Sequence, residues 1–359
     1  MFRRFKYRIY PTKKQESILN KTLEECRWLY NNTLNYRIEQ YENGISESYY
    51  STTPRITKLK VDRLSLKTVY AEVLQNVVMR VDLAYQNFFR RVLTTSDNPG
   101  FPRFKGLGRY DSITYLKKGV KLFESTLKLS KIGNIKIKID RPIEGTIKTT
   151  TIRKSSTGKW YATIVCSIDK EPTVTTNTEI VGIDLGISSF LTTDTAEKIE
   201  NPRFFKAEVK ELTKFDRKHS KQKSPKTKKV KARIHERMKF KRDNFTHQLS
   251  RQFVNRYKII CLEDLKINKL IENNYLAKEI ANVSWGEFIS KLLYKAEDAG
   301  VVVLQINPAY TSQDCSTCGY RVYKELGERI HSCPNCGLVL DRDVNAAKNI
   351  LALGLQSLD

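Results

Sequence analysis

Two cysteine pairs near the C-terminus constrain this chain more than any other feature. In each pair two residues separate the cysteines and a glycine follows, and fourteen residues lie between the pairs: Cys315, Cys318, Cys333 and Cys336. A tight turn directs both thiolates of such a pair at one ion, and four thiolates complete a tetrahedral Zn²⁺ shell. The spacing therefore predicts a closed, structural zinc site. A redox dithiol and an iron–sulfur centre are the alternatives.

The remaining cysteines follow a different pattern. Cys26, Cys166 and Cys261 stand singly in apolar sequence, and the total of seven is odd. An odd number does not suggest a secreted disulfide framework, so we interpret the three as small buried hydrophobic residues. His331, between the two pairs, is an alternative zinc ligand, but we interpret it as a surface residue.

Three acidic residues stand where a carboxylate needs a partner. Asp184 interrupts the apolar pattern VGIDLG, Glu263 lies at the end of the apolar run IICLEDL, and Asp343 precedes the helical pattern VNAAKNILALG. Buried carboxylates need pairing or a cation, and oxygen ligands suit Mg²⁺ or Mn²⁺. The acids together predict a site for two such ions, which can hydrolyse a phosphodiester. For each acid alone, a helix cap or an ion pair is the alternative.

The short segment between the second cysteine pair and the last helix contains two aspartates. We select Asp343 as the catalytic acid because it lies at the start of the helix, and we interpret Asp341 as a turn or capping residue paired with a neighbouring base. A zinc-stapled segment directly before the helix could determine where the carboxylate of Asp343 points.

The chain is strongly basic. Lys and Arg number 64 against 39 Asp and Glu, which gives a formal net charge of +25. This excess favours a polyanionic partner, because neutralised phosphates release condensed counterions. Residues 217–242 contain thirteen Lys or Arg and one acid, and a solvated basic hairpin or loop is the alternative there to phosphate contact. The candidate contact residues are Lys228, Lys229, Lys231, Arg233 and Arg237.

Several classes of protein are excluded by what the sequence lacks. No apolar run reaches the roughly 18 residues of a membrane-spanning helix, and the N-terminal MFRRFKYRIYP has no apolar core of a signal peptide. The sequence also has no GxxxxGK[ST] phosphate loop. We therefore expect a cytoplasmic protein that uses neither a membrane nor ATP.

Periodicity separates the chain into regions of different structure. Residues 2–10 alternate like a strand, and helical patterns follow, including a long helix at about 65–93, as far as a breaker cluster at 97–106. Alternation with a period of two then predicts a small sheet or barrel, which the first strand could complete. The helical segment would in that case be an insertion. After a linker at 171–178, buried strands and long helices alternate, which indicates an α/β domain.

These motifs resemble the TnpB (OrfB) family, transposon-encoded RNA-guided DNA nucleases related to the compact type V CRISPR effectors. The resemblance rests on the order of GIDLG, ICLEDL, TSQDCSTCG with CPNCG, and DRDVNAAKNI. The front half is also similar, in YRIYPTKKQ, CRWLYNNTL, LQNVVMRVDLAYQNFFRR and GFPRFK. The resemblance thus covers nearly the whole chain.

The resemblance implies a multidomain α+β and α/β fold. Its parts would be a wedge β-barrel-like domain (1–10 and 105–170), an inserted helical recognition domain (11–104), a linker (171–178), an RNase H-fold RuvC nuclease domain (179–310 and 338–359) and an inserted zinc ribbon (311–337).

The resemblance also implies an activity. Asp184, Glu263 and Asp343 would bind two Mg²⁺, a transposon-derived guide RNA would select a double-stranded DNA target, and Gln75 would contact the short motif flanking that target. A monomer on RNA is the expected state, in the cytoplasm of a prokaryotic cell and associated with the nucleoid when bound to DNA. No acid of the triad is replaced in this chain. An RNA-guided repressor that does not cleave and a transposase are the alternative functions.

Overall fold

The structure, a computed structural model, describes residues 2–94, 99–169, 173–202, 204–218, 220, 224–265, 284–325 and 327–358. These residues belong to two compact units, Met1–Lys170 and Glu171–Asp359. Residues 97–98 of the predicted breaker cluster and 171–172 of the predicted linker lie outside the described residues.

The first unit is built on a seven-stranded antiparallel sheet. Its strands are β1 (Phe2–Tyr10), β2 (Ser112–Leu116), β3 (Val120–Phe123), β4 (Thr126–Leu129), β5 (Gly133–Lys138), β6 (Thr146–Lys154) and β7 (Trp160–Ser167). They lie in the order β2-β6-β7-β1-β5-β4-β3. A single 3-10 turn, Lys117–Gly119, joins the two edge strands, so the sheet curves back on itself and is barrel-like. The prediction that the first strand completes the sheet is confirmed; β2 was not predicted.

Helices occupy the chain between β1 and β2. They are α1 (Lys13–Glu42), α2 (Tyr49–Thr52), α3 (Arg55–Asp62), a 3-10 helix (Leu64–Thr68) and α4 (Ala71–Thr94). The helix predicted from about 65 begins only at Ala71, because Val69 is extended, with ψ 140°. A capping box begins α1. The backbone N–H of Thr12 donates to the side-chain oxygen of Gln15, and the backbone N–H of Gln15 donates to the hydroxyl of Thr12.

One apolar core joins the sheet and the helices of the first unit. The inward-facing Tyr7 and Ile9 of β1 and Ile164 of β7 pack in one cluster with the buried faces of α1 and α4. Cys26 and Cys166 are fully buried in this cluster, and burial raises the pKa of the Cys26 thiol to about 12. Their interpretation as buried hydrophobic residues is confirmed.

The second unit has a five-stranded mixed sheet. Its strands are β8 (Glu179–Asp184), β9 (Ser189–Thr193), β10 (Lys198–Glu200), β11 (Tyr257–Glu263) and β12 (Val302–Ile306), in the order β10-β9-β8-β11-β12. The first three strands form an antiparallel meander, whereas β8, β11 and β12 are parallel.

Long helices cover both faces of this sheet. They are α5 (Phe204–Lys218), α6 (Pro225–Arg256), α7 (Trp285–Ala299) and α8 (Arg342–Gln356). Phe253 of α6 and Phe288 of α7 pack on Val181 and Ile260 on one face, whereas Ile350 of α8 packs with Cys261 in a separate cluster. Among the described residues, no helix has the length and apolar character to cross a membrane.

Helix α8 lies directly on the backbone of the sheet. A Cβ on Gly182 of β8 would lie 2.1 Å from the carbonyl oxygen of Ala347. A Cβ on Gly354 would lie 2.3 Å from the Sγ of Cys261 on β11. Only glycine permits approaches this close, so these two residues set the position of α8 across β8 and β11.

Replacing Gly182 with alanine should therefore displace α8. We expect Gly182→Ala to destabilise the protein by about 3 kcal/mol, at the upper end for an overpacked core, because the obstructing atoms belong to backbone. Thermal unfolding measures the effect. Gly327→Ala is the matched control, since a Cβ there meets nothing within 4 Å. Equal unfolding midpoints for the two variants would contradict the close packing.

Candidate functional site

Two of the predicted acids lie at the carboxyl ends of adjacent parallel strands. Asp184 ends β8 and Glu263 ends β11. The register pairs Cys261 with Gly182 and Leu262 with Ile183. The next residue on each strand is the acid, so Glu263 and Asp184 lie side by side. Gly182 and Cys261 face α8, and residues two positions apart in a strand share a face. Both carboxyl groups are therefore on the α8 side of the sheet.

The third predicted acid enters from α8. Asp343 lies in the first turn of that helix, one turn before Ala347, whose carbonyl oxygen lies over Gly182. The side chain of Asp343 is 17% exposed. In the described structure, the cation nearest to its Oδ1 is the guanidinium of Arg329, 4.0 Å away. The fold thus brings together the ends of two strands and the start of one helix.

The charges of the other two acids act on Asp184. Burial raises the pKa of the Asp184 carboxyl well above its usual range, and the negative charges of Glu263 and Asp343 raise it further, against an opposing effect of Arg342. Burial likewise raises the pKa of Glu263. Mutually repelling carboxylates of this kind favour a bound cation.

A buried threonine contacts the site and was not predicted. The Thr311 hydroxyl donates a hydrogen bond of 2.6 Å to Oε1 of Glu263. Thr311 is 4% exposed and Glu263 is 8% exposed. Thr311 lies shortly before the first cysteine pair, in TSQDC. Because it is far from Glu263 along the chain, no local sequence pattern predicted the contact.

The two aspartates of the segment before α8 have different environments. Asp341 is the N-cap of α8: its Oδ1 accepts hydrogen bonds from the N–H groups of Asp343 and Val344. Its Oδ2 lies 2.6 Å from Nζ of Lys198. Burial by itself would raise the pKa of Asp341. The bonds with Lys198 and with the backbone N–H groups outweigh burial, so the pKa is lowered. The prediction that Asp341 caps the helix and pairs with a base is confirmed.

The four cysteines of the two pairs converge on one point. Their Sγ atoms all lie within 4.8 Å of one another, with 3.6 Å from Cys315 to Cys336 and from Cys318 to Cys333. Zn–S bonds of about 2.3 Å in a tetrahedron separate the sulfurs by about 3.8 Å, so the cluster can hold a metal ion such as zinc. Among the described residues, no other group of three or more His, Cys, Asp and Glu side chains brings its ligand atoms this close together.

The two halves of the cysteine cluster have the same backbone geometry. Gly319 N–H bonds the carbonyl of Cys315, and Gly337 N–H bonds that of Cys333, both at 2.9 Å. Both glycines have φ 74°, a left-handed conformation that glycine adopts without strain. The short strands β13 (Ile330–Ser332) and β14 (Val339–Asp341) pair next to the cluster.

Hydrogen bonds connect the cysteine cluster to α8. Asn345 is fully buried; its Oδ1 accepts from the N–H of Ser316, and its Nδ2 donates to the carbonyl of Asp314. Nδ2 of Asn349 donates to the carbonyls of Thr311 and Asp314. The segment entering the cluster is therefore held against the helix that carries Asp343.

The interpretation of His331 as a surface residue is wrong. His331 is fully buried, because it is the inward-facing middle residue of β13 and its Nδ1 contacts Nζ of the buried Lys324. Its ring is not part of the four-sulfur group. Burial lowers its pKa, and the charge of Lys324 lowers it further.

The predicted nucleic-acid contacts lie on two helices, α4 of the first unit and α6 of the second. Gln75 is exposed on α4 of the first unit. The basic run belongs largely to α6 and is helical there, in contrast to a hairpin or loop. Lys231 pairs with Asp216, and Arg237 pairs with Glu211. The side chains of Lys228, Lys229 and Arg233 are exposed.

Three families match successive parts of the chain. Residues 163–274 match a family described as "Probable transposase", and residues 285–350 match the "Cas12f1-like, TNB domain". Residues 1–46, which form β1 and α1, match a "Helix-turn-helix domain".

Curated proteins match over almost the full length. A protein of Streptomyces pristinaespiralis named "Putative RNA-guided DNA endonuclease" is 33% identical, over 98% of this chain and 89% of its own. InsQ of Escherichia coli K12, with the same descriptive name, is 28% identical over 98% of this chain and 92% of its own. "TnpB-like protein L79" of Acanthamoeba polyphaga mimivirus is 25% identical over 98% and 73%.

A solved structure has a similar fold. The matching chain of "Cryo-EM structure of the Cas12f1-sgRNA-target DNA complex" superposes with a TM-score of 0.57 at 15% identity, over 94% of this chain and 83% of that chain. The fold alone follows from this match, whereas the 33% identity with the Streptomyces pristinaespiralis protein over 98% of this chain shows that the chain belongs to the TnpB (OrfB) family of RNA-guided DNA endonucleases.

Proposed function

We propose that this protein is an RNA-guided DNA endonuclease whose phosphodiesterase site consists of Asp184, Glu263 and Asp343. The observation that carries the proposal is the placement of these acids: Asp184 and Glu263 end adjacent parallel strands, and Asp343 lies in the first turn of the helix that packs on β8. The names of the full-length relatives support the same activity. A guide RNA would select the double-stranded DNA target, and pairing rather than the protein would read its sequence.

The strand arrangement of the second unit supports an RNase H-type RuvC domain. Strands β10, β9 and β8 are antiparallel to one another, and β11 and β12 then add parallel to β8. Helix α8 lies on the face that carries the acids. Ligand sites of α/β sheets lie at the carboxyl ends of parallel strands, where Asp184 and Glu263 stand. The cysteine cluster would be a structural zinc ribbon.

The acids fit a divalent-cation site. Asp184, Glu263 and Asp343 would hold Mg²⁺ or Mn²⁺, because they supply hard oxygen ligands and their mutual repulsion needs positive charge. Such cations activate water and stabilise the leaving oxygen of a phosphodiester. The protein's own contribution is to hold the carboxylates together: two strands position Asp184 and Glu263, and the capped start of α8 positions Asp343.

The outer face of β1 is a candidate surface for the RNA backbone. Arg4, Lys6 and Arg8 alternate with buried residues along the strand. On the neighbouring β7, the ring of Tyr161 lies 4.6 Å from Nζ of Lys6 and 5.2 Å from the guanidinium of Arg8. On the other side, Lys138 of β5 pairs with Arg8 in register. Basic side chains beside an aromatic ring suit phosphates and stacked bases.

Removing two charges from this face should weaken RNA binding. We expect the double variant Arg4→Gln, Lys6→Gln to lower RNA affinity and to reduce the slope of log K against log salt by about 1.4, roughly 0.7 per lost phosphate contact. Filter binding at several salt concentrations measures the slope. Lys13→Gln with Lys14→Gln, exposed on α1, is the control of equal charge. Equal slopes for both double variants would remove RNA binding from the β1 face.

Sequencing the RNA that co-purifies with the protein tests the proposed function. We expect one defined transcript with a constant part and a variable guide segment. Random cellular RNA would contradict guide-dependent activity.

An assay on target DNA separates the alternative functions. Strand-transfer products in place of simple breaks would favour a transposase, and target binding without breaks in Mg²⁺ would favour a repressor.

A further inference from the structure

Within the described part of the chain, Glu263 accepts a side-chain hydrogen bond from a residue outside the acidic triad. The Thr311 hydroxyl donates to Oε1 at 2.6 Å, and both residues are buried. A carboxylate has about four lone-pair directions, so this bond orients the group and leaves Oε2 and the remaining lone pairs for other ligands.

The position of Thr311 is determined by a turn of unusual backbone geometry. Tyr310 has φ 65°, a left-handed conformation that is unfavourable for a non-glycine residue and persists where surrounding structure enforces it. The N–H groups of Gln313 and Asp314 both bond the carbonyl of Tyr310. The turn thus presents the Thr311 hydroxyl to Glu263.

Helix α8 holds this turn from the other side. Nδ2 of Asn349 donates to the carbonyl of Thr311 at 2.8 Å and to that of Asp314 at 2.7 Å. Asn349 lies six residues after Asp343 on the same helix. A continuous path of contacts therefore runs from α8 through Asn349 and Thr311 to Glu263.

We propose that Thr311 is a positioning residue for Glu263 and that Asn349 holds Thr311 in place. Helix α8 would then set two of the three acids: Asp343 directly, and Glu263 through the hydroxyl. This inference rests on the proposed function, in which Glu263 is a cation ligand. Groups that orient a metal ligand typically change metal affinity or activity by about 10–100-fold when they are removed.

Thr311→Val tests the proposal because it keeps the shape of the side chain and removes the hydroxyl. We expect Mn²⁺ binding to the protein–RNA complex without DNA, followed by electron paramagnetic resonance, to weaken by about tenfold. The Mg²⁺ concentration for half-maximal cleavage of guide-matched DNA should rise by a similar factor. Thr311→Ser, which restores the hydroxyl, should bring both values to within about threefold of the wild type.

Thr22→Val is the matched control. Thr22 is also 4% exposed, but its hydroxyl bonds the carbonyl of Ile18 in α1, so the same substitution should leave Mn²⁺ binding unchanged. If Thr311→Val does not fold, Asn349→Asp decides, since it removes both donated bonds and keeps the hydroxyl. We expect it to weaken Mn²⁺ binding by about threefold.

Two different results would overturn two different conclusions. Wild-type Mn²⁺ affinity in Thr311→Val, or in Asn349→Asp if the first variant is unfolded, overturns the positioning role even if thermal stability falls. A wild-type protein that binds Mn²⁺ but never cleaves guide-matched DNA overturns the proposed function instead.

Discussion

Asp184→Asn should reduce DNA cleavage by at least about 10³-fold while the protein still binds RNA and target DNA. The substitution removes a cation ligand and its charge but keeps the shape of the side chain. Metal ligation of this kind supplies several kcal/mol of transition-state stabilisation, and each 1.36 kcal/mol is a factor of ten in rate. Single-turnover cleavage of guide-matched DNA in Mg²⁺ measures the loss, and gel-shift assays measure binding.

The same variant should be at least as stable as the wild type in the absence of divalent cations. Burial and the charges of Glu263 and Asp343 disfavour the ionised Asp184, so a neutral amide relieves repulsion. Asp264→Asn is the matched control, because Asp264 is exposed and follows Glu263 directly. Cleavage by Asp184→Asn at the rate of this control would remove Asp184 from the site.

Cys336→Ser should release zinc and impair cleavage through α8. Loss of one thiolate opens a closed four-ligand shell, and we expect bound zinc to fall from about one ion per chain to well under half. The ribbon then loses the geometry that places Ser316 N–H and the Asp314 carbonyl against Asn345. Because the same helix carries Asp343, we expect cleavage to fall by at least about tenfold.

Metal analysis and cleavage rates of the same preparation separate the two effects of this variant. Cys166→Ala is the control, since Cys166 is buried in the core of the first unit and its loss leaves the cysteine cluster intact. We expect it to retain zinc. A Cys336→Ser protein that has lost zinc but cleaves at the wild-type rate would make the ribbon an appendage rather than a support for α8.

The three acids could be selected from the sequence because each stands where a carboxylate needs a partner, and their catalytic role stays a prediction. Asp184 and Glu263 interrupt apolar strands, and the fold explains why: the strands are parallel neighbours whose ends meet at one edge. Asp343 was distinguishable from Asp341 by its place in the helical pattern. The cysteine spacing predicted the cluster in the same way, because two tight turns need few residues.

Contacts between distant segments were not predictable from local patterns. Thr311 carries no anomaly of its own, since a threonine in a polar loop is ordinary, and only the turn at Tyr310 brings it to Glu263. His331 was misjudged because a three-residue strand gives too short a period to assign its face. The domain boundaries and the nucleic-acid contacts of Gln75 and of the basic run stay predictions.

Cleavage with a reprogrammed guide tests whether the protein is an RNA-guided endonuclease. The guide segment of the co-purifying RNA is replaced by a sequence present in a plasmid library with randomised flanking bases. We predict Mg²⁺-dependent breaks only in plasmids that carry both the matching sequence and one short flanking motif, and none with Asp184→Asn. Breaks that do not follow the new guide, or no breaks by the wild-type complex in Mg²⁺, would contradict an RNA-guided endonuclease.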